Sequence, residues 1–274
     1  MTNPLELIRL CEQVYERAAL SAGPDKIFGA SVSTLADGTL AVAFRGTLAN
    51  HDAQSLLSWL NDFRASLTTA EGIPGRVHAG FLAGYEALSG DVFDAIEGMQ
   101  PAAATPDPWW QRTLDRILGR QILAGEAPPT ILPWQKKILF TGHSFGGALA
   151  QLAGVRYAHL RPQVIVFASP LVGDLAFAAG YPGEVALTRY EAADDIVPWL
   201  PPWGYRAAGE VVPQLDMPAR LRRVHAHALM ADLLDPQKAQ GAWQKVANAH
   251  HLSTTYRPWL EALPLGGAPQ AEAA

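Results

Sequence analysis

The sequence predicts an α/β fold, with a mostly parallel central sheet and helices on both of its faces. Three observations predict it. Short apolar runs of strand length alternate with longer segments of helical period. An Asp-Gly pair, Asp37-Gly38, joins the first two apolar runs, as in a hairpin. A glycine-flanked serine, Gly142-His143-Ser144-Phe145-Gly146, stands where a strand gives way to a helix.

The elements follow in chain order. Met1 to Leu20 carries Glu6, Arg9, Glu12, Glu16 and Arg17. These charges make it an amphipathic helix rather than a signal peptide, and it is expected to end near Gly23-Pro24. Ile27 to Leu35 and Leu40 to Phe44 are the hairpin strands, and Arg76 to Leu88 reads as a helix after a short extended start. Lys137 to Thr141 is a buried strand, Gly146 to Leu160 a helix rich in Ala and Leu. Gln163 to Ala168 and Glu184 to Tyr190 are two further strands.

Pro101 to Trp134 breaks this alternation, so the α/β domain is expected to carry a helical insertion there. Within it, Trp109 to Leu123 has Trp110, Leu114, Ile117, Leu118 and Ile122 on one helical face. Arg112, Arg116 and Arg120 lie opposite. That pattern fits either a cover over a pocket or a helix packed permanently on the body. Residues 1–265 are expected to form one domain, and the Ala/Gly/Pro-rich residues 266–274 a disordered tail.

Bulk composition excludes several function classes. The chain has 274 residues, 49% of them hydrophobic and 17% charged, which suits a large core. A net charge of −5 and the lack of basic blocks argue against a nucleic-acid partner. Cys11 is the single cysteine, so no internal disulfide and no thiolate zinc site can form. His225-x-His227 and His250-His251 are the remaining ligand types, but no His-Glu-x-x-His helix accompanies them. No metal or cofactor is expected. No apolar run reaches the ~20 residues of a membrane span. The expected location is the cytoplasm, with secretion of a processed form left open.

Chemistry concentrates at Ser144. A sharp strand-to-helix turn exposes its hydroxyl, and Gly142 and Gly146 lack the Cβ atoms that would collide there. The helix N-terminus directs partial positive charge toward an oxyanion forming at this point. In a nucleophile elbow the acid and then the histidine follow the serine in the chain. Asp194 and Asp195 lie just beyond the strand Glu184 to Tyr190 and are the candidate acids, Asp195 preceding Ile-Val-Pro. Downstream histidines are His159, His225, His227, His250 and His251.

Seven collinear motifs carry a wider resemblance. They are Ala43-Phe44-Arg45-Gly46-Thr47, Ser58-Trp59-Leu60-Asn61-Asp62, Val77-His78-Ala79-Gly80-Phe81 and Thr141 to Ala150. Ala168 to Asp174, Asp195-Ile196-Val197-Pro198 and His251-Leu252-Ser253 complete the set. Over residues 40 to 255 the chain resembles the class 3, fungal-type lipase family of the α/β-hydrolase superfamily. That resemblance implies an ester hydrolase, either a triacylglycerol lipase or a broad carboxylesterase, working through an acyl-enzyme on Ser144. It implies Asp195 as the triad acid and His251 as the base, with His250 as its competitor. It also implies an oxyanion hole formed by Thr47 and the backbone of Phe145, with Asp62 supporting Thr47.

His78 and His143 read as structural imidazoles. Leu48 to Leu60 is a candidate lid or a static covering loop. Trp199, Trp203, Trp243 and Trp259 flank the proposed acid and base, either lining a pocket or serving as ordinary packing. The expected partner is an ester or lipid, met at a lipid–water interface if a lid opens. Two alternatives use the same fold: a thioesterase or acyltransferase, and an interaction scaffold without turnover.

Overall fold

The computed structural model describes residues 3–23, 26–46, 66–99, 137–214 and 218–263. Thr47, Asp62, the candidate lid 48–60, the insertion 101–134 with its helix 109–123, and the tail 266–274 lie outside the described residues. Helix α1 (Pro4–Glu16) begins where the Asn3 side chain accepts the Leu5 amide and Pro4 supplies a preset φ. It buries Leu7, Ile8, Cys11 and Val14. The apolar stripe stops at Val14, and the helix ends at Glu16, earlier than Gly23-Pro24. The next residues form the edge strand β1 (Leu20–Ala22), antiparallel to β2 (Phe28–Thr34).

β2 and β3 (Leu40–Phe44) form the expected hairpin. Gly38 takes φ +83°, and the Asp37 carboxylate accepts the Thr39 amide at 2.9 Å. A small antiparallel pair, β4 (Leu67–Thr68) and β5 (Val77–His78), leads into helix α2 (Ala79–Gly98). α2 runs ten residues past Leu88, because Val92 and Ile96 continue its buried face.

The elbow segment is β6 (Ile138–His143) followed by α3 (Phe145–Arg156). After it come β7 (Gln163–Phe167), α4 (Leu175–Ala179), β8 (Ala186–Glu191) and β9 (Glu210–Pro213). Helices α5 (Ala219–Leu234), α6 (Ala239–Ala249) and α7 (Arg257–Glu261) close the described chain. Among the described residues, seven strands form one sheet in the order β1-β2-β3-β6-β7-β8-β9. β3 through β9 in that order are parallel to one another. The expected α/β architecture, a mostly parallel sheet flanked by helices, is therefore present.

Strand alternation divides the core. Leu40, Val42 and Phe44 of β3 face a cluster with Phe81, Leu88, Leu149 and Leu152, which belong to α2 and α3. Ala41 faces the opposite cluster, where Leu7, Ile8 and Cys11 of α1 meet Trp259 and Leu260 of α7. A third, small cluster joins Ile196 to Leu229 of α5 and Val246 of α6. It seats the α5–α6 pair on the loop that follows β8. Among the described residues no helix is long and apolar enough to cross a membrane.

His78 caps α2 by accepting the Gly80 amide on Nδ1 at 3.0 Å. Burial pushes its pKa down from 6.5 to about 4. The unfolded chain therefore binds a proton between those values that the folded chain refuses. The neutral imidazole's contribution is full above pH 6.5 and is lost as pH falls toward about 4. On that basis the folded protein loses up to about 3 kcal/mol more stability than His78→Asn, which keeps the cap acceptor, between pH 7 and 4. Urea unfolding of both proteins at the two pH values checks this. Equal losses would remove His78 as the source.

Candidate active site

Ser144 occupies the turn between β6 and α3 with φ 57° and ψ −128°. A non-glycine residue rarely holds this conformation, and here both neighbouring glycines make room for it. A Cβ on Gly142 would strike the backbone of Gly146, and one on Gly146 would strike the Phe44 carbonyl. β3 therefore lies too close to the elbow for any side chain at residue 146. Phe145 is the first residue of α3, so its N–H has no intrahelical acceptor. Its ring stacks on Phe28, 5.6 Å between centroids, and meets the edge of Phe81.

The imidazole facing Ser144 belongs to His250. Its Nε2 lies 2.9 Å from Ser144 Oγ. Its Nδ1 lies 2.9 Å from Asp195 Oδ2 and 3.1 Å from Oδ1. A carboxylate only accepts, so the Nδ1 proton points at Asp195 and Nε2 is left to accept from the serine hydroxyl. This corrects the expectation of His251 in that place. His251 Nδ1 lies 3.1 Å from Ser253 Oγ. The backbone explains the difference. His250 caps α6 in a near-helical conformation, φ −77° and ψ −6°, so its side chain keeps the helix's phase. His251 turns to an extended conformation, ψ 129°, and its side chain leaves in another direction.

Asp195 is 1% exposed. Besides His250, its Oδ1 accepts the Val197 amide at 3.0 Å and its Oδ2 accepts the Tyr256 hydroxyl at 2.8 Å. The buried carboxylate is thus well supplied with donors, as burial of such a group demands. Asp194, the alternative acid, points elsewhere, to His225 of α5 at 2.8 Å and Lys245 of α6 at 2.9 Å. These partners hold its carboxyl below the usual range, against the opposing effect of partial burial. His225 therefore serves the helix pair, and His227 is exposed on α5. Arg189 of β8 is 1% exposed, pairs with Glu191, and donates to the Ser169 carbonyl at 2.9 Å. Burial raises the Glu191 pKa, and Arg189 opposes that rise.

Tyr256 escaped the sequence reading. It lies in a π-helical turn, Leu252–Tyr256, and no local pattern marks it. Only the folded chain brings it to the acid. Its oxygen also accepts the Ala192 amide at 3.1 Å, so one hydroxyl joins the loop after β8 to the acid itself. Burial beside Asp195 raises its pKa well above the ordinary value. Tyr256→Phe is expected to cost about 2 kcal/mol of stability, because it leaves the Ala192 amide without its acceptor and takes one donor from the buried Asp195. Turnover should fall by about tenfold, in line with the effects seen for groups that orient a reacting shell. Urea unfolding and kcat on a soluble ester check both effects. Unchanged values would show that Asp195 does not depend on Tyr256.

The other tryptophan and histidine expectations resolve by position. Trp259 packs against Tyr190 and Tyr256 in the core, whereas Trp203 is 85% exposed. His143 is buried, with Nδ1 2.9 Å from the Tyr15 hydroxyl and Nε2 2.8 Å from the His250 carbonyl. A cavity of about 290 Å³ lies beside these groups, lined by Glu12, Tyr15, His143, His251 and Arg257 among others. Among the described residues no group of three or more His, Cys, Asp or Glu is arranged to hold a metal ion.

Comparison with known proteins gives the chain's family. The model of the family described as lipase (class 3) matches residues 41–205. A lipase of Rhizopus niveus is 27% identical over 176 residues, covering 61% of this chain and 36% of that protein. Phospholipase A1-II 4 of Oryza sativa subsp. japonica is 27% identical over 206 residues, covering 67% of this chain and 45% of that one. The chain thus spans less than half the length of these two relatives. The solved structure of Rhizomucor miehei triacylglyceride lipase aligns with a TM-score of 0.51 at 22% identity. That alignment covers 72% of this chain and 65% of the other, and its likeness is one of fold.

Proposed function

The chain belongs to the class 3 lipase family, and from that premise we propose that it is a serine hydrolase of lipid esters with Ser144 as nucleophile, His250 as base and Asp195 as acid. One observation carries the proposal: a single imidazole bridges Ser144 Oγ, at 2.9 Å, and Asp195 Oδ2, also at 2.9 Å. A serine hydroxyl is a poor nucleophile at neutral pH. His250 takes its proton as Oγ attacks the ester carbonyl, and Asp195 holds the tautomer and stabilises the imidazolium. The protonated His250 then gives its proton to the leaving alcohol, and an acyl-Ser144 remains. Water, deprotonated by the same imidazole, releases the acid.

The tetrahedral intermediate carries a negative oxygen that needs prearranged donors. The Phe145 N–H at the start of α3 is one, and the family resemblance supplies Thr47 as the other, with Asp62 behind it. The reading uses no metal or cofactor. Its substrate class is a lipid ester, triacylglycerol or a broader carboxylic ester, met at a lipid–water interface.

A fluorophosphonate probe tests the proposal together with a chain-length series of p-nitrophenyl esters, run below and above their solubility limits. The expected result is one label, on the peptide that contains Ser144, and turnover that depends on acyl length. A protein that stays unlabelled and cleaves none of the esters would overturn it.

A further inference from the structure

We propose that Tyr15 and His143 form a positioning relay, which holds the backbone of His250 and the chain at Gly46 in one register across the site. The proposal rests on the reading of Ser144, His250 and Asp195 as the working triad. It starts from the hydrogen-bond directions. His143 Nε2 faces the His250 carbonyl at 2.8 Å, and a carbonyl only accepts, so Nε2 carries the ring proton. His143 Nδ1 must then accept, and the Tyr15 hydroxyl at 2.9 Å donates to it. The Tyr15 hydroxyl also lies against Gly46, where an added Cβ would strike it. The chain of donors therefore runs with one polarity from Tyr15 to His143, and His143 donates onward to His250, while Gly46 packs against the Tyr15 hydroxyl.

Each end of this chain has a purpose in the site. His250 caps α6, where carbonyls lack helical partners and need a donor from elsewhere. His143 supplies one, and it is the residue immediately before Ser144. The separation of nucleophile and base is thus set by a bond between residue 143 and residue 250. The two imidazoles also lie against each other, 4.6 Å between centroids and 38° between planes. Asp195 fixes how the His250 ring is turned, whereas His143 fixes where its backbone sits. At the other end, Gly46 precedes Thr47. A Cβ on Gly46 would strike the Tyr15 hydroxyl and come 2.9 Å from the His143 carbonyl oxygen. Only glycine lets the chain at residue 46 approach both partners. α1, on the far side of the sheet from α2 and α3, thereby reaches into the reaction through its last turn.

Neither residue touches the reacting atoms, so their effect falls on placement. A misplacement of about 1 Å costs about 100-fold in rate. Three variants test the relay: Tyr15→Phe, His143→Ala and His143→Gln, with kcat and KM on a soluble ester, the fluorophosphonate labelling rate and thermal unfolding for each. Tyr15→Phe should lower kcat by about tenfold and His143→Ala by about 100-fold, with KM within about twofold. His143→Gln, whose amide N–H can reach the His250 carbonyl, should recover about tenfold of that loss. The double variant Tyr15→Phe/His143→Ala should be no slower than His143→Ala, because Tyr15 acts through His143. If His143→Ala does not fold, Tyr15→Phe and His143→Gln carry the comparison, since each keeps the shape of the side chain. Folded variants with unimpaired kcat beside an active wild type would overturn the relay and leave the triad standing, and so would losses that multiply in the double variant. A wild type that neither labels nor turns over would overturn the triad, and the relay with it.

Discussion

His250→Ala is expected to reduce kcat on a soluble ester by about 10⁶-fold, the scale seen when a triad base is removed. His251→Ala should stay within about threefold of wild type. The two residues are chemically identical neighbours, so the pair of variants isolates position from residue type. His250 Nε2 is 2.9 Å from Ser144 Oγ, and its loss removes the only imidazole among the described residues that meets both the serine and Asp195. His251 instead meets Ser253 Oγ at 3.1 Å. Steady-state rates on one p-nitrophenyl ester, with circular dichroism to verify folding, make the comparison. A damaged His251→Ala beside an active His250→Ala would reverse the assignment.

Ser144→Ala should lose a comparable factor, about 10⁶ in kcat, together with all fluorophosphonate labelling. Its fold should survive. Ser144 stands at the N-cap of α3, yet its side chain makes no capping bond, so removing Oγ takes no cap from the helix. Alanine keeps the Cβ that strains φ 57°, and stability should move by under about 1 kcal/mol. Ser144→Gly goes further. Glycine adopts positive φ without that strain, and this variant should be more stable than wild type by about 1 kcal/mol while equally inactive. A calorimetric scan of the three proteins reads the order. A Ser144→Gly protein less stable than Ser144→Ala would show that the elbow stores no strain. If Ser144→Ala retains turnover, Ser144 is not the nucleophile.

Much of the site was legible because local chemistry constrains it. Gly142 and Gly146 mark the elbow, since backbone passes where a Cβ would stand. Asp194 and Asp195 could be picked out because an acid just beyond β8 is carried to the same edge of the sheet as Ser144, and the motif resemblance preferred Asp195. Asp37-Gly38 specified its own turn by side-chain bonding and positive φ. The end of α1 was less legible. Leu20 to Ala22 extend an apolar pattern that suits helix or strand, and pairing with β2 decides for strand.

What the sequence by itself determined is the alternation of strands and helices from the first hairpin to β8, the elbow at Ser144 and the pair Asp194-Asp195 beyond β8. Each depends on short-range physics: apolar period, glycine's missing Cβ, and the direction of parallel strands. Tertiary structure alone decided which of two adjacent histidines faces Ser144 and Asp195. That choice turns on the residue at which α6 ends, because the last near-helical residue keeps the helix's side-chain direction and the next one loses it. Tertiary structure also brought Tyr256 to Asp195, 61 positions apart, and Tyr15 to His143, 128 positions apart. No local pattern encodes such bonds. They exist because packing α1 and α7 on one face of the sheet removes water from polar atoms, which must then find partners in one another.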